Sequence, residues 1–287
     1  MKNFKIKSYC KINLSLKIIK KLSNGYHSIS SLITFCDLYD IIEVSEIKNH
    51  KDRINFSGRF CKGIDKKINT VTKVLELLRK KKLIKNQSFN INIKKNIPHG
   101  SGLGGGSSNA SNLLNYFNSK MNLKLKKNKM INLAKTIGSD VPIALEKKNT
   151  FLTGKKGKIL RINKKFNLNL LIVYPNIICS TKKIYKKNKI NGPIKYHSYF
   201  NKRNKKKLID FLKKEKNDLE KIVIKTFPKI GKIINLIKIQ KGCFFSRITG
   251  SGSACIGIFS NSHNAISAKK LIKSKYPNYW CVVSKTI

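Results

Sequence analysis

Between Lys11 and Ile18 apolar and polar residues alternate strictly, with Ile12, Leu14, Leu16 and Ile18 on one face and Lys11, Asn13, Ser15 and Lys17 on the other. A period of two is the pattern of a half-buried strand. The Asn24-Gly25 pair marks a turn, and two apolar stretches within residues 29–44 read as further strands. Past a basic segment the period changes, because Val71, Val74, Leu75 and Leu78 share one face of a helix over residues 69–82. Ile91 and Ile93, with Ile97, then alternate as a strand, and Ala110, Leu113, Leu114 and Phe117 recur as one helical face. Asn128 is placed to cap a helix carrying Met130, Leu133, Ala134 and Ile137, with Gly138 ending it at C′.

In the second half, residues 168–174 form a near-continuous apolar strand, and residues 179–204 read as a long, mobile, lysine-rich connection. Residues 205–226 read as one helix. Residues 228–240 read as another, with Pro228 near N1 and Ile230, Ile233, Ile234 and Ile237 on its buried face. Strands at 243–249 and 254–259 flank the turn Gly250-Ser251-Gly252-Ser253, and a helix at 264–274 and a strand at 280–283 follow. Apart from the extra helix, this order is β-α-β-β-α-β, a ferredoxin-like arrangement. A chain of 287 residues accommodates two modest domains, expected here as 1–150 and 151–287.

Composition changes this picture little. Sixty-two Lys and Arg against 13 Asp and Glu give a formal charge of +49, which would ordinarily suggest a nucleic-acid partner. The excess is nearly all lysine, however, is spread over the whole chain, and accompanies abundant isoleucine and asparagine, whose codons are rich in A and T. Arginine is scarce and forms no cluster with aromatic residues, so no physiological nucleic-acid partner is expected. Seven scattered cysteines without a Cys-x-x-Cys pair indicate neither a disulfide framework nor a zinc site. Residues 1–8 are polar and basic, and no apolar run suits a membrane span, so a soluble, cytoplasmic protein is expected.

Candidate chemistry lies between the strand carrying Ile91 and the helix carrying Leu113: Pro98, His99, Gly100, Ser101, Gly102, Leu103, Gly104, Gly105, Gly106, Ser107 and Ser108. Five glycines let backbone N–H groups approach a phosphate, and the following helix adds its free N-terminal amides. This is no P-loop, because Ser107 follows Gly106 without an intervening lysine. Acids are rare, and Asp140 stands on a defined turn between Gly138 and Pro142. It reads either as a turn acceptor or as a base for a hydroxyl attacking a γ-phosphate, with Lys11 keeping it ionised.

Three segments, in order, resemble the three motifs of the GHMP kinases, the superfamily of galactokinase, homoserine kinase, mevalonate kinase and phosphomevalonate kinase: Lys11-Ile-Asn-Leu, the 98–110 loop, and Ile248-Thr-Gly-Ser-Gly-Ser-Ala-Cys-Ile-Gly257. Asn24-Gly-Tyr-His27 and Gly138-Ser-Asp-Val-Pro-Ile143 are further similar to the members that phosphorylate a hydroxyl of a cytidyl diphosphate substrate in non-mevalonate isoprenoid precursor biosynthesis. The resemblance implies an α+β, two-domain fold with an N-terminal ATP-binding and catalytic domain like domain 2 of ribosomal protein S5. A ferredoxin-like substrate domain would follow, with the active site in the cleft between them. It implies ATP and Mg²⁺, Lys11 and Asp140 as the catalytic pair, and the 98–108 loop on the ATP phosphates. Asn13, Tyr26, His27, Tyr185, Gly250, Ser251 and Gly252 would meet the substrate. Ser107 and Ser108 are candidate Mg²⁺ ligands, and the metal site stays open. The chain departs from the family in carrying Tyr9-Cys10 for Pro-Ala before the lysine and Ile248-Thr249 for Met-Ser. Another GHMP kinase, acting on mevalonate, homoserine or a sugar, would not need Tyr26, His27 and Tyr185; a basic nucleic-acid-binding protein is the alternative of a different class.

Overall fold

The computed structural model describes residues 4–23, 25–48, 51–153, 157–188 and 204–287. Asn24 of the expected turn and residues 189–203 of the lysine-rich connection lie outside these. Two compact units share the chain: described residues within 1–11, 38–99 and 104–147 form the first, and those within 12–37, 100–103 and 148–287 form the second. One long strand, β3 (His27–Ile47), contributes to both.

In the first unit the later part of β3 pairs antiparallel with β5 (Ser88–Lys94), setting Ile42 opposite Ile93 and Val44 opposite Ile91. The edge is β4 (Arg53–Ser57), parallel to β5, and β1 (Phe4–Asn13) also pairs with β3. Three helices bury their apolar stripes on this sheet: α1 (Thr70–Lys80), α2 (Gly105–Lys120) and α3 (Lys127–Ile137). Val74 and Leu78, Leu113 and Phe117, and Met130 and Ala134 join Phe89, Ile91 and Ile93 in one core. Phe89 and Phe117 meet edge to face at 4.9 Å, the favourable arrangement for two ring quadrupoles. Asn69 caps α1 by accepting from the amides of Val71 and Thr72, and Thr72 Oγ1 accepts in return from the Asn69 amide.

In the second unit β2 (Lys17–Lys21) and β6 (Asn149–Thr153) pair with the first part of β3, and β7 (Ile159–Ile162) pairs with β6. The remaining strands, β8 (Asn169–Tyr174), β9 (Cys243–Ile248), β10 (Cys255–Phe259) and β11 (Trp280–Lys285), form an antiparallel sheet ordered β11-β8-β10-β9. Helices α8 (Pro228–Lys238) and α9 (Ser262–Lys275) cover it with Ile230, Ile233, Ile237, Ala268 and Ile272. That strand order is the ferredoxin-like one expected from the sequence.

Several elements differ from expectation. The alternating stretch beginning at Lys11 is two strands, since β1 ends at Asn13 and β2 resumes at Lys17. Its polar face is not solvated either: Lys11, Asn13 and Ser15 are all buried, because polar partners such as Ser31 meet them. The two stretches within 29–44 are one continuous strand, as no Gly, Pro or Asn interrupts β3. Lys126 rather than Asn128 holds the N-cap of α3, and Gly138 ends it with extended φ of 177°. The connection after Cys179 opens on a short helix, α5 (Thr181–Lys186). The expected helix over 205–226 is broken into α6 (Lys205–Lys214) and α7 (Glu220–Thr226). The break follows from tertiary pairing: Leu16 donates its amide to the Lys216 carbonyl, and Leu16 carbonyl accepts from Asp218. Strands β6 and β7, and the one-turn α4 (Val141–Ala144), carry no clear periodic signal, and the alternation of Ile54 and Phe56 with polar residues in β4 spans only five positions within a basic segment.

One buried carboxylate organises the approach to the glycine loop. Asp40 on β3 accepts from the amides of Asn96 (2.8 Å) and Ile97 (2.9 Å) and from Asn109 Nδ2 of α2 (3.1 Å). It also pairs with the buried Lys95 ammonium. A lysine left without its counter-ion in such surroundings is strongly destabilising. Asp40→Ala is expected to lower unfolding free energy by about 3–5 kcal/mol in urea titration, and an unmoved midpoint would contradict this organising role.

Candidate active site

The glycine loop is shorter than its sequence suggests, because α2 begins inside it. Gly100, Gly102 and Gly104 take left-handed φ of 63°, 83° and 68°, whereas Gly105, Gly106, Ser107 and Ser108 already form the first turn of α2. Gly104 is the N-cap and, lacking a side chain, makes no cap bond of its own. The first amides of α2 thus keep the unused donors and positive dipole end that suit an anion. Thr70 Oγ1 donates to the Gly106 carbonyl at 2.9 Å, tying α1 to this turn.

Lys11, near the end of β1, reaches the same place. A Cβ on Gly104 would lie 2.6 Å from Lys11 Cγ and 2.8 Å from Cε, so the lysine stem fills the space that any side chain at 104 would need. Its ammonium stands 3.1 Å from Asp140 Oδ2, with side-chain exposures of 6% for Lys11 and 35% for Asp140. Asp140 occupies the N-cap of α4 without making a side-chain cap bond. Ser111 of α2 donates to the Val141 carbonyl at 2.6 Å and holds the turn against the helix. A half-exposed carboxylate beside a sheltered ammonium at a helix N-terminus suits receiving a proton while phosphate charge is held nearby. Pro98 is buried, and the His99 ring is engaged with the Lys62 carbonyl at 3.0 Å.

The other expected residues belong to the second unit. Gly100 and Ser101 give their carbonyls to the amides of Cys179 (3.0 Å) and Ala254 (2.9 Å), and Leu103 is buried. Asn13 is buried too, donating its amide N–H to Thr249 Oγ1 and its side chain to Ser31 Oγ. The rings of His27 and Tyr185 meet at 5.2 Å, inclined by 40°, and Tyr26 is 63% exposed. Burial first, and the Lys21 charge second, push the His27 pKa below its ordinary value, favouring the neutral ring, which can both donate and accept. Ser251 is buried, its hydroxyl 2.9 Å from Thr181 Oγ1 of α5, and a Cβ on Gly252 would press on Val223 at 3.2 Å.

Residues 69–148 match the GHMP kinases N terminal domain and residues 199–278 the GHMP kinases C terminal family. The chain belongs to the GHMP kinase family. It is accordingly an ATP-dependent kinase. Among its relatives, 4-diphosphocytidyl-2-C-methyl-D-erythritol kinase of Pelagibacter ubique is 40% identical over 100% of both chains. The enzyme of the same name from Wolbachia pipientis wMel is 32% identical over 98% of this chain and 97% of its own. The crystal structure of a 4-(cytidine 5'-diphospho)-2C-methyl-D-erythritol kinase aligns with TM-score 0.74 at 21% identity, covering 98% and 99% of the two chains. Homoserine kinase from Cytophaga hutchinsonii aligns with TM-score 0.71 at 16% identity over 100% of this chain and 95% of that one. The fold is the two-domain GHMP kinase fold.

For this GHMP kinase the sequence missed Asp40, Lys95, Ser111, Thr181 and Asn217 as contributors to the site's framework. Asp40 is one of four acids along β3, with Asp37, Glu43 and Glu46, so residue type alone did not single it out, and the hydroxyls and the amide carried no signal either. Among the described residues no three His, Cys, Asp or Glu side chains gather as a metal site. Ser108 Oγ, however, is buried in the first turn of α2 without a hydrogen-bond partner, which fits a single protein oxygen for a cation otherwise held by phosphates. Gly104→Ala is expected to displace the Lys11 stem and lower kcat by about 10²-fold with the fold retained by circular dichroism. Undiminished turnover would show that the packing of Lys11 on Gly104 is dispensable.

Proposed function

We propose that the chain transfers the γ-phosphoryl group of ATP to the 2-hydroxyl of 4-diphosphocytidyl-2-C-methyl-D-erythritol, in non-mevalonate isoprenoid precursor biosynthesis in the cytoplasm. The observation that carries the reaction is the Lys11–Asp140 pair at 3.1 Å, with the lysine stem packed on the glycine that caps α2. The acceptor rests on full-length relatives of that name and on the His27–Tyr185 rings with exposed Tyr26, which suit a cytosine base. In this reading residues 1–150 are the ATP-binding and catalytic domain, and residues 151–287 the substrate domain.

Asp140 accepts the proton of the attacking hydroxyl. Lys11 pairs with that carboxylate and offsets negative charge on the transferring group. Residues 98–108 hold the ATP phosphates, with the first amides of α2 as donors. Asn13, Tyr26, His27, Tyr185 and the Gly250-Ser251-Gly252 turn serve the acceptor, Asn13 by shaping the backbone and the rings by contact. Ser108 would hold Mg²⁺, which supplies charge neutralisation at the phosphates when bound. Because a loose phosphoryl-transfer transition state asks mainly for in-line geometry, holding the two reactants in place does most of the catalysis.

The test is ADP release from Mg-ATP with a panel of acceptors: the cytidyl diphosphate ester, mevalonate, homoserine and galactose. Turnover is expected with the first alone, and a preference for another acceptor would reassign the substrate. Asp140→Asn is expected to reduce kcat by about 10³-fold while leaving ATP affinity nearly unchanged; wild-type turnover would remove Asp140 as the base. Tyr185→Ala is expected to raise KM for the cytidyl substrate about tenfold with little change in kcat, and an unaltered KM would exclude stacking on that ring.

A further inference from the structure

The third glycine motif and part of the second meet backbone to backbone. A Cβ on Gly102 would lie 2.1 Å from the Thr249 carbonyl oxygen, and one on Gly250 would lie 2.9 Å from the Gly102 carbonyl oxygen. No side chain fits between the two segments, so the path of residues 100–103 follows the path of residues 249–250. The Ala254 amide, donating to the Ser101 carbonyl at 2.9 Å, makes the contact directional.

What fixes residues 249–250 comes from the break between α6 and α7. Asn217, buried there, donates its side-chain amide to the carbonyls of Gly250 (2.8 Å) and Ile248 (3.2 Å), and its Oδ1 accepts from the Leu219 amide at 3.0 Å. The amide group is used on both sides, which fixes its orientation. The segment around it is held by other means: Lys216 and Asp218 bond the Leu16 backbone, Asp218 Oδ2 accepts from the Ile18 amide at 2.8 Å, and Glu215 pairs with Lys17 at 2.8 Å. The Asn217 side chain is therefore free to act on the glycine turn without being needed to place its own backbone.

We infer that Asn217 is a positioning residue for the nucleotide: through the Gly250 carbonyl it sets the course of residues 100–103 in the ATP loop. This rests on reading the 98–108 loop as the phosphate-binding element. Asn217→Asp keeps the shape and the oxygen facing Leu219, but replaces the donating NH₂ with an oxygen opposed to two carbonyls.

Calorimetric titration with a nonhydrolysable ATP analogue and Mg²⁺, without acceptor, tests the inference. Asn217→Asp is expected to weaken Kd about tenfold, whereas Asp218→Ala, which alters the same segment without touching Gly250, is expected to leave Kd at the wild-type value. An unchanged Kd in folded Asn217→Asp, or equal weakening in both variants, overturns it. Should Asn217→Asp fail to fold by circular dichroism, Asn217→Ser takes its place with the same readouts. Because no acceptor is present, a wrong acceptor leaves the result standing, and a wild-type chain that does not bind the analogue removes the ATP reading itself.

Discussion

The absence of a side chain at Gly104 is the constraint from which the candidate active site follows. At φ of 68° a glycine ends the loop and starts α2, and the vacant Cβ position is where the methylenes of Lys11 lie. One residue thereby settles three things: where the helix amides begin, where the lysine stem runs, and how far its ammonium reaches toward Asp140. The stem is apolar and packs on backbone while its charged end emerges beside the carboxylate, which is how a lysine can be buried along most of its length and still act as a cation.

A chain with 62 basic and 13 acidic residues has few carboxylates, and the structure places several of them where backbone or cations need a partner. Asp40 collects two backbone amides, an asparagine and Lys95 just before the loop. Asp52 takes Arg79 and the Phe89 amide at the edge of the first unit's sheet. In the second unit Asp218 and Glu220 each accept a backbone amide, from Ile18 and Ile248, and burial pushes both carboxyl groups toward the neutral form. Arg247 lies between acidic neighbours and donates to the carbonyls of Leu14 and Leu212, its pKa lowered by burial to about 10. Buried charges so arranged contribute less through net attraction than through the penalty for any packing that leaves them unpaired. Most of the described lysines, by contrast, lie on solvated surface.

Helices with a strong apolar stripe were legible from sequence, because Val71, Val74 and Leu78, or Ile230, Ile233 and Ile237, leave no other face to bury. The order of the last four strands was legible for a similar reason, each being a short apolar run between turn residues. Short, half-polar β4 and β7 were not, since their burial comes from pairing with a neighbour distant in the chain. The break at Asn217 was invisible in the same way: residues 205–226 have good local helical propensity, and the competing hydrogen bonds come from Leu16 and Ile18.

The sequence by itself determined the glycine loop, the candidacy of Lys11 and Asp140, and the membership of the GHMP kinases, because each depends on residue type and local spacing. Tertiary structure decided that α2 starts within the loop, that Asp140 turns from its own helix cap to Lys11, that Asn13 is buried among hydroxyls, and that His27 meets Tyr185. These outcomes rest on groups far apart in the chain coming within hydrogen-bond or van der Waals reach. Local propensity contains no term for that proximity.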